Sequence, residues 1–510
     1  MLRNDFSRRE FFAASSSAAL ALTAGGQLPG ATPRSQATGS AGQPIAVGSQ
    51  LQLLLDDEIV DSLQGLQRRL HSPRPAEIVI EKDKPWEDEK LYDPVVMKDG
   101  AGYRMWYWAN SADEKAPWYT GYAESSDGIQ WSKPELGLID FKGSKKNNIV
   151  WRCVDQVGYP LSIFKDANPN ASDQERYKAI GIVKMWDMVG LVSPDGLRWK
   201  LIQPNPLIAN PNKLDGPFDS HNAVFWDAPR QQYVAYLRGW TGALSGDDFL
   251  KRFNRSWVRR IRRSVSKDFR HWSKLEFIRL SQEQDPSRGP IEHLYKNAAT
   301  PYYRRPDILL MFPKRFFAER VFAPARYPKN EAGLSDIAFM FSRDGLHWDR
   351  RFLQAFIRPG RDWENWHHRA IEVGQGLVPT GAGEMSLYMV EHYQTPTVRI
   401  RRMVLREDGF VSVHSDGTPG HLTTRPLLFD ARQLVMNYAT SAGGSIVVEV
   451  LDADGRKTEH HAVEKYGDEL QGGCPWDFGK RQPAKPIRLR FILKDADLFS
   501  FRFRSEYQAG

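Results

Sequence analysis

One short pattern, met four times, limits how this chain can fold: Ser, any residue, Asp, usually Gly, two residues, Trp. It occurs at Ser125–Trp131, Ser193–Trp199, Ser266–Trp272 and Ser342–Trp348, with a degenerate fifth copy at Arg406–Phe410. The copies recur at intervals of roughly 64–76 residues, the mark of a structural repeat. Asp-Gly is tight-turn chemistry, and the Trp that follows packs the returning strand. By itself the motif is a structural turn and says nothing of chemistry.

Each copy follows a strand-like run: Tyr119–Glu124, Met188–Val192, Val258–Val265, Ile337–Phe341 and Val398–Leu405. Before these lie the apolar runs Tyr103–Trp108, Tyr177–Val183, Tyr233–Arg238, Ile308–Phe312 and Met385–Val390. Earlier still come Val95–Lys98, Ser162–Lys165, Ala223–Trp226, Ala298–Tyr303 and Ala370–Val373. A unit of about four short antiparallel strands, repeated five times, predicts a five-bladed β-propeller over residues 46–415. After the Gly/Ser/Thr/Pro-containing segment 412–426 the pattern changes to alternating strands such as Ser445–Leu451 and Ile487–Leu493. That predicts a small β-sandwich domain over 416–510 and makes the fold class all-β.

Residues 1–45 read as an export leader. Ser7-Arg8-Arg9-Glu10-Phe11-Phe12 precedes an Ala/Ser-rich apolar stretch, Ala13 to Ala24, which has the form of a twin-arginine signal. The stretch is too short and weakly apolar for a membrane span, so stable membrane insertion is not expected. The predicted location is periplasmic or extracellular. The formal charge is +8 with a pI near 9.2. Its one dense basic run, Lys251 to Arg263, has no nucleic-acid motif beside it. The two cysteines, Cys153 and Cys474, match no metal or redox spacing, and pairing between them is left open.

In a propeller the innermost strand of each blade starts at the mouth of the central channel. Three such starts carry acids: Tyr92-Asp93-Pro94, Phe218-Asp219-Ser220-His221-Asn222, and Ile291-Glu292-His293. Cleaving a glycosidic bond needs two carboxyl groups flanking it, and a third carboxylate nearby can raise the donor's pKa. At these residues the chain resembles the five-bladed propeller glycosidases of glycoside hydrolase families 43, 32 and 117. The resemblance implies Asp93 as base, Asp219 as pKa modulator and Glu292 as acid. In family 117 the acid is a histidine, which makes His293 a rival to Glu292. No Trp-Met-Asn-Asp-Pro-Asn motif surrounds Asp93, so the resemblance is to the superfamily rather than to one family. Cleavage is expected to proceed by inversion.

Around these acids His221, Asn222, Arg238, Trp240, Arg315, Arg369 and His392 are the expected substrate ligands. Aromatic faces pack on pyranose rings, and Arg forks hold carboxylate or sulfate. With the positive balance, they point to an anionic glycan. No cofactor or metal is expected: His367-His368 is adjacent on a strand, so the two side chains face opposite ways. Two other classes stay open. A non-catalytic sugar-binding propeller would use the same acids only to hold ligand, and a scaffold propeller would plug its channel. A six-bladed sialidase-like propeller is the rival architecture.

Overall fold

The computed structural model describes residues 43–88, 90–111, 118–153, 157–210, 215–219, 221–241, 257–282, 292–322, 333–367, 369–429, 431–478 and 485–506. The protein is all-β. Its described helical elements are single 3-10 turns at Asp173–Glu175, Ala228–Arg230 and Trp363–Asn365. Among the described residues no helix is long and apolar enough to cross a membrane. The Arg8-Arg9 leader and much of the 251–263 basic run lie outside the described residues. The chain divides into two compact units: residues 69–412, and residues 1–68 together with 413–510.

The larger unit is mainly a succession of antiparallel sheets, with one short parallel pairing of Arg279–Leu280 and His347–Trp348. The first orders Lys90–Asp99, Gly102–Asn110, Trp118–Ser125 and Ile149–Cys153. The second orders Val157–Lys165, Tyr177–Val183, Asp187–Ser193 and Lys200–Leu201. The third orders Ala223–Asp227, Gln232–Thr241, Val258–Ser266 and Glu276–Phe277. The fourth region is split. Thr300–Tyr302, Arg305–Met311 and Met340–Ser342 form one ladder, and His293–Leu294, Lys314–Phe317 and Leu334–Ile337 form another. The last sheet joins Glu372–Val373, Glu384–Glu391 and Arg399–Arg406 to Arg74–Glu81, the unit's earliest long strand.

In the first three sheets the repeated motif does what its chemistry dictates. Asp127 Oδ1 accepts from the backbone N–H of Ile129 and Gln130, both at 2.8 Å, and Trp131 Nε1 donates to Gly128 O at 3.1 Å. Asp195 and Trp199 repeat this around Gly196, as do Asp268 and Trp272 around Phe269. The fourth position has φ of 75°, 77°, 65° and 77° in the four copies, the left-handed region that favours glycine. The turn carbonyls are then capped from another sheet. Tyr388 of the last sheet donates to Gly128 O, Trp106 of the first to Gly196 O at 2.9 Å, and Tyr236 of the third to Gly345 O at 2.7 Å. Tyr302 of the fourth region donates to Asp408 in the degenerate fifth copy. Phe164 of the second sheet packs on Phe269 of the third copy, with ring centroids 5.7 Å apart.

The smaller unit corrects the expected boundary at residue 46. Ile45–Ala46 runs parallel to Leu427–Leu428, Gln52–Leu53 pairs with Ser500 and Phe501, and Val60–Gln64 pairs with Gly420–Thr424. Val47, Leu54, Ile59 and Val60 are buried in one core with Leu434, Phe491 and Phe503. Burying these side chains outweighs their distance in sequence, and nothing in the repeat marks them. The segment expected as a sandwich over 416–510 joins the strands of Ile45–Leu70 and Val411–Ser415 in one eleven-stranded hydrogen-bonded sheet, dominated by Gln433–Asp452 and Ile487–Arg504. Both cysteines are buried, and they are not joined in a disulfide.

Candidate functional site

The first strand of the first sheet, Lys90–Asp99, breaks register between Tyr92 and Val95. Asp93 sits in that break with a left-handed φ of 51°. Non-glycine residues are strained there, and such strain concentrates at functional sites. The break turns the carboxyl out of the ladder. Asp93 is buried, and its Oδ1 accepts from Lys296 Nζ. Its Oδ2 has no hydrogen-bond partner among the described residues.

Lys296 reaches the site from the approach to the fourth region's strand Thr300–Tyr302, and Glu372 from the last sheet's strand Glu372–Val373. Lys296 Nζ also pairs with Glu372 Oε2 at 2.6 Å, and Lys314 Nζ lies 3.1 Å from the same oxygen. Glu372 Oε1 is buried without a partner. His221, at the start of the third sheet, is buried beside this cluster and its Nε2 is likewise unmet. Ser162 of the second sheet donates to Gln375 in the last, at 2.6 Å. Three sheets and the fourth region therefore place side chains in one buried polar network of Asp93, His221, Lys296, Lys314 and Glu372.

Its electrostatics are unequal. Burial pushes the Asp93 carboxyl up to about 6, against the pull of Lys296 and helped by Glu372. Burial also works against the Glu372 charge, but Lys296 and Lys314 overcome it and hold the group down at about 2. Burial and the same two carboxylates act oppositely on Lys296, and the carboxylates win, raising it. Lys314, with one shared carboxylate and two cationic neighbours, is brought down by burial to about 8. Burial and Lys296 keep His221 neutral, at about 3. Two carboxyl groups with split protonation, bridged by a lysine, can together offer one proton and one negative charge.

Glu292 lies elsewhere. Arg350 contacts it at 2.6 Å and Arg315 Nη1 lies 3.5 Å away, while Arg315 itself clasps Asp336 with two hydrogen bonds. His293 is buried, accepts from the Arg259 backbone N–H at Nδ1, and is driven down to about 2 by burial and the guanidinium groups around it. Asp219 pairs with Arg238 at 2.9 Å. Asn222 Oδ1 accepts from the Arg238 backbone N–H. Trp240 lies under Arg238 and Arg259, with guanidinium carbons 5.0 and 4.2 Å from its ring centroid. Arg369 donates to the Tyr295 hydroxyl at 2.9 Å. His392 bridges Asp362 and Thr397. Among the described residues no group of three or more His, Cys, Asp or Glu is arranged to hold a metal ion; His368 is outside them.

Four residues of the site were not read from sequence: Lys296, Glu372, Tyr295 and Arg259. Glu372 lies within the recognised inner strand Ala370–Val373, in the middle and not at the start, where acids were sought. Tyr295 and Lys296 lie two and three residues after His293, so the segment was legible though its outcome was not.

No protein-family model matches the chain. Two uncharacterized proteins of Mycobacterium tuberculosis strains are 28% and 29% identical to it over 157 residues, covering 28% of this chain. The chain spans 44% of the length of these curated relatives. Among solved structures it is similar to a glycoside hydrolase, at a TM-score of 0.42 and 15% identity over 66% of this chain and 92% of the other. It is also similar to a fructofuranosidase from Schwanniomyces occidentalis complexed with fructosylnystose, at a TM-score of 0.41 and 11% identity over 85% and 98% of the two chains.

Proposed function

We propose that the protein is a glycoside hydrolase, exported by its twin-arginine leader, whose larger unit is a five-bladed β-propeller. The architectural reading is supported by turn caps that run from the last sheet to the first and from the first to the second, and by the pairing of Arg74–Glu81 with the last sheet. The catalytic reading rests on one observation: Asp93 and Glu372, from different sheets, share one lysine yet are held in opposite protonation tendencies.

In this reading Asp93, through Oδ2, donates the proton to the leaving oxygen, and Glu372 remains the ionised partner. This gives Asp93 the acid's role that the resemblance implied for Glu292, and gives Glu372 the ionised role that it implied for Asp93. Because both carboxylates touch one ammonium nitrogen, their contacting oxygens lie within about 5 Å, nearer the spacing of retaining than of inverting glycosidases. Lys296 sets the split, and Asp219 orients Arg238.

The test is a panel of polysaccharides and aryl glycosides assayed with the wild type and Asp93→Asn. On a cleaved substrate with a poor leaving group the variant should lose about 10²–10⁴-fold in turnover, the range of general acid–base catalysis. Substrates with nitrophenolate leaving groups should be spared. Wild-type rate should fall as pH rises through about 6, where Asp93 loses its proton. Unchanged turnover in Asp93→Asn refutes the assignment. Binding of glycans with no cleavage of any panel member favours the non-catalytic alternative.

A further inference from the structure

Arginines buried in the larger unit mostly have an acid beside them. Arg350 has Glu292, Arg315 has Asp336 and Arg402 has Glu77. Arg259 does not. It is 3% exposed, and no carboxylate among the described residues lies within ion-pair reach of it. Its guanidinium lies against the rings of Trp240, Tyr295 and Phe316, 4.2, 4.5 and 5.4 Å from their centroids. Its Nη1 is 3.2 Å from His293 Nδ1, and its Nε has no partner. A buried charge without a counter-ion is costly, and burial and the neighbouring guanidinium groups both work against this one.

Two further guanidinium groups share the place. Arg238 lies 4.6 Å and Arg369 5.7 Å from the Tyr295 ring centroid, and Lys314 Nζ lies 5.6 Å from it. Against these cations stands Asp219, already paired with Arg238. The Tyr295 hydroxyl registers the imbalance: burial works to raise it, yet Arg369, Arg238 and Arg259 bring it down to about 7. Lys314 links this cluster to Glu372, so it adjoins the proposed catalytic carboxylates.

We infer that Arg238, Arg259 and Arg369, gathered on Tyr295, bind an oxyanion of the substrate glycan, a uronate carboxylate or a sulfate ester. The inference rests on reading the chain as carbohydrate-active. Guanidinium forks match such oxyanions with paired, charge-assisted hydrogen bonds, and the unmet Arg259 charge is what an anion would neutralise. The sequence pointed to Arg238, Arg315 and Arg369 for this task; Arg315 is taken by Asp336, and Arg259 holds its place.

The experiment is calorimetric titration of the full chain with glucuronate, galacturonate, galactose 6-sulfate, sodium sulfate, glucose and galactose. Acidic sugars should bind at least about tenfold more tightly than their neutral counterparts, and Arg259→Gln should erase that preference. Preference for the uronates over galactose 6-sulfate identifies the carboxylate, and the reverse identifies the sulfate. A second readout is independent of the variant's folding. In the wild type, a single tyrosine's absorbance change near pH 7, absent in Tyr295→Phe, should move to higher pH when the bound probe competes with the tyrosinate. No acidic preference, or a preference that survives Arg259→Gln, overturns the inference. Equal use of acidic and neutral glycans by an enzyme that still needs Asp93 overturns the anion site alone. Anion binding lost in Arg259→Gln, in a protein that cleaves no glycan, overturns the hydrolase reading alone.

Discussion

Lys296→Met tests the electrostatic core of the site. It removes the ammonium group that Asp93 and Glu372 share and keeps most of the side chain's volume. Glu372 retains Lys314 at 3.1 Å, but Asp93 is left with no cation in contact. Removing one member of a buried ion pair costs about 3–5 kcal/mol. The pH dependence makes the test specific. In the wild type the Asp93 carboxyl, raised by burial and restrained by Lys296, titrates at about 6. Without Lys296 it rises further, so between pH 8 and 6 the folded variant holds a proton that the folded wild type lacks. Extra protons on the folded state mean that stability increases as pH falls, by about 1.4 kcal/mol per pH unit. The deficit should therefore shrink by roughly 2–3 kcal/mol from pH 8 to pH 6, then stay level below 6, where both folded forms are protonated. Urea unfolding followed by tryptophan fluorescence at four pH values measures it. A deficit under about 1 kcal/mol at pH 8, or one that does not change between pH 8 and 6, refutes the reasoning.

Glu292→Gln should separate the two acids: it leaves Arg350, which is 3% exposed, without its counter-ion and should lower stability by about 3–5 kcal/mol. Turnover on a substrate that Asp93→Asn cannot process should stay within about tenfold of wild type, and a larger loss in folded protein returns Glu292 to the chemistry. Replacing Arg8 and Arg9 together with Lys should leave the precursor in the cytoplasm, scored by fractionation; continued export by the twin-arginine route shows the leader was misread.

What the sequence disclosed follows the range of the interactions involved. The turn is written within seven residues, because Asp127 Oδ1 serves two N–H groups two and three positions along. It could be read without knowing anything distant. Asp93 was legible for a similar reason, as an acid before a proline at a strand start. Its partner was not, since Lys296 lies 203 residues away and nothing local announces the pairing. Glu292 shows the converse. Its position in the repeat suggested a catalytic acid, and nothing local announced that Arg350, 58 residues on, pairs with it. The boundary at residue 46 failed because short strands such as Gln52–Leu53 carry little pattern of their own, and their partners, Ser500 and Phe501, come from the opposite end of the chain.

That last pairing sets a schedule for the growing chain. The strands around Ile45–Gln64 are made first, but the strand that pairs with Gln52 and Leu53 is Ile487–Arg504, and the larger unit is threaded between them. At about 5–20 residues per second, Gln52 waits roughly 20–90 s for Phe501 to be synthesised. The interrupted unit cannot complete its core on the ribosome until translation is nearly finished, whereas the continuous unit has all its strands by residue 406. The order of assembly is thus written into the connectivity: the inserted body matures while its host is still in two pieces. A nonsense mutation late in the gene would strip the host of its longest partner strand and leave the apolar side chains of Leu54, Ile59 and Val60 without the core that covers them.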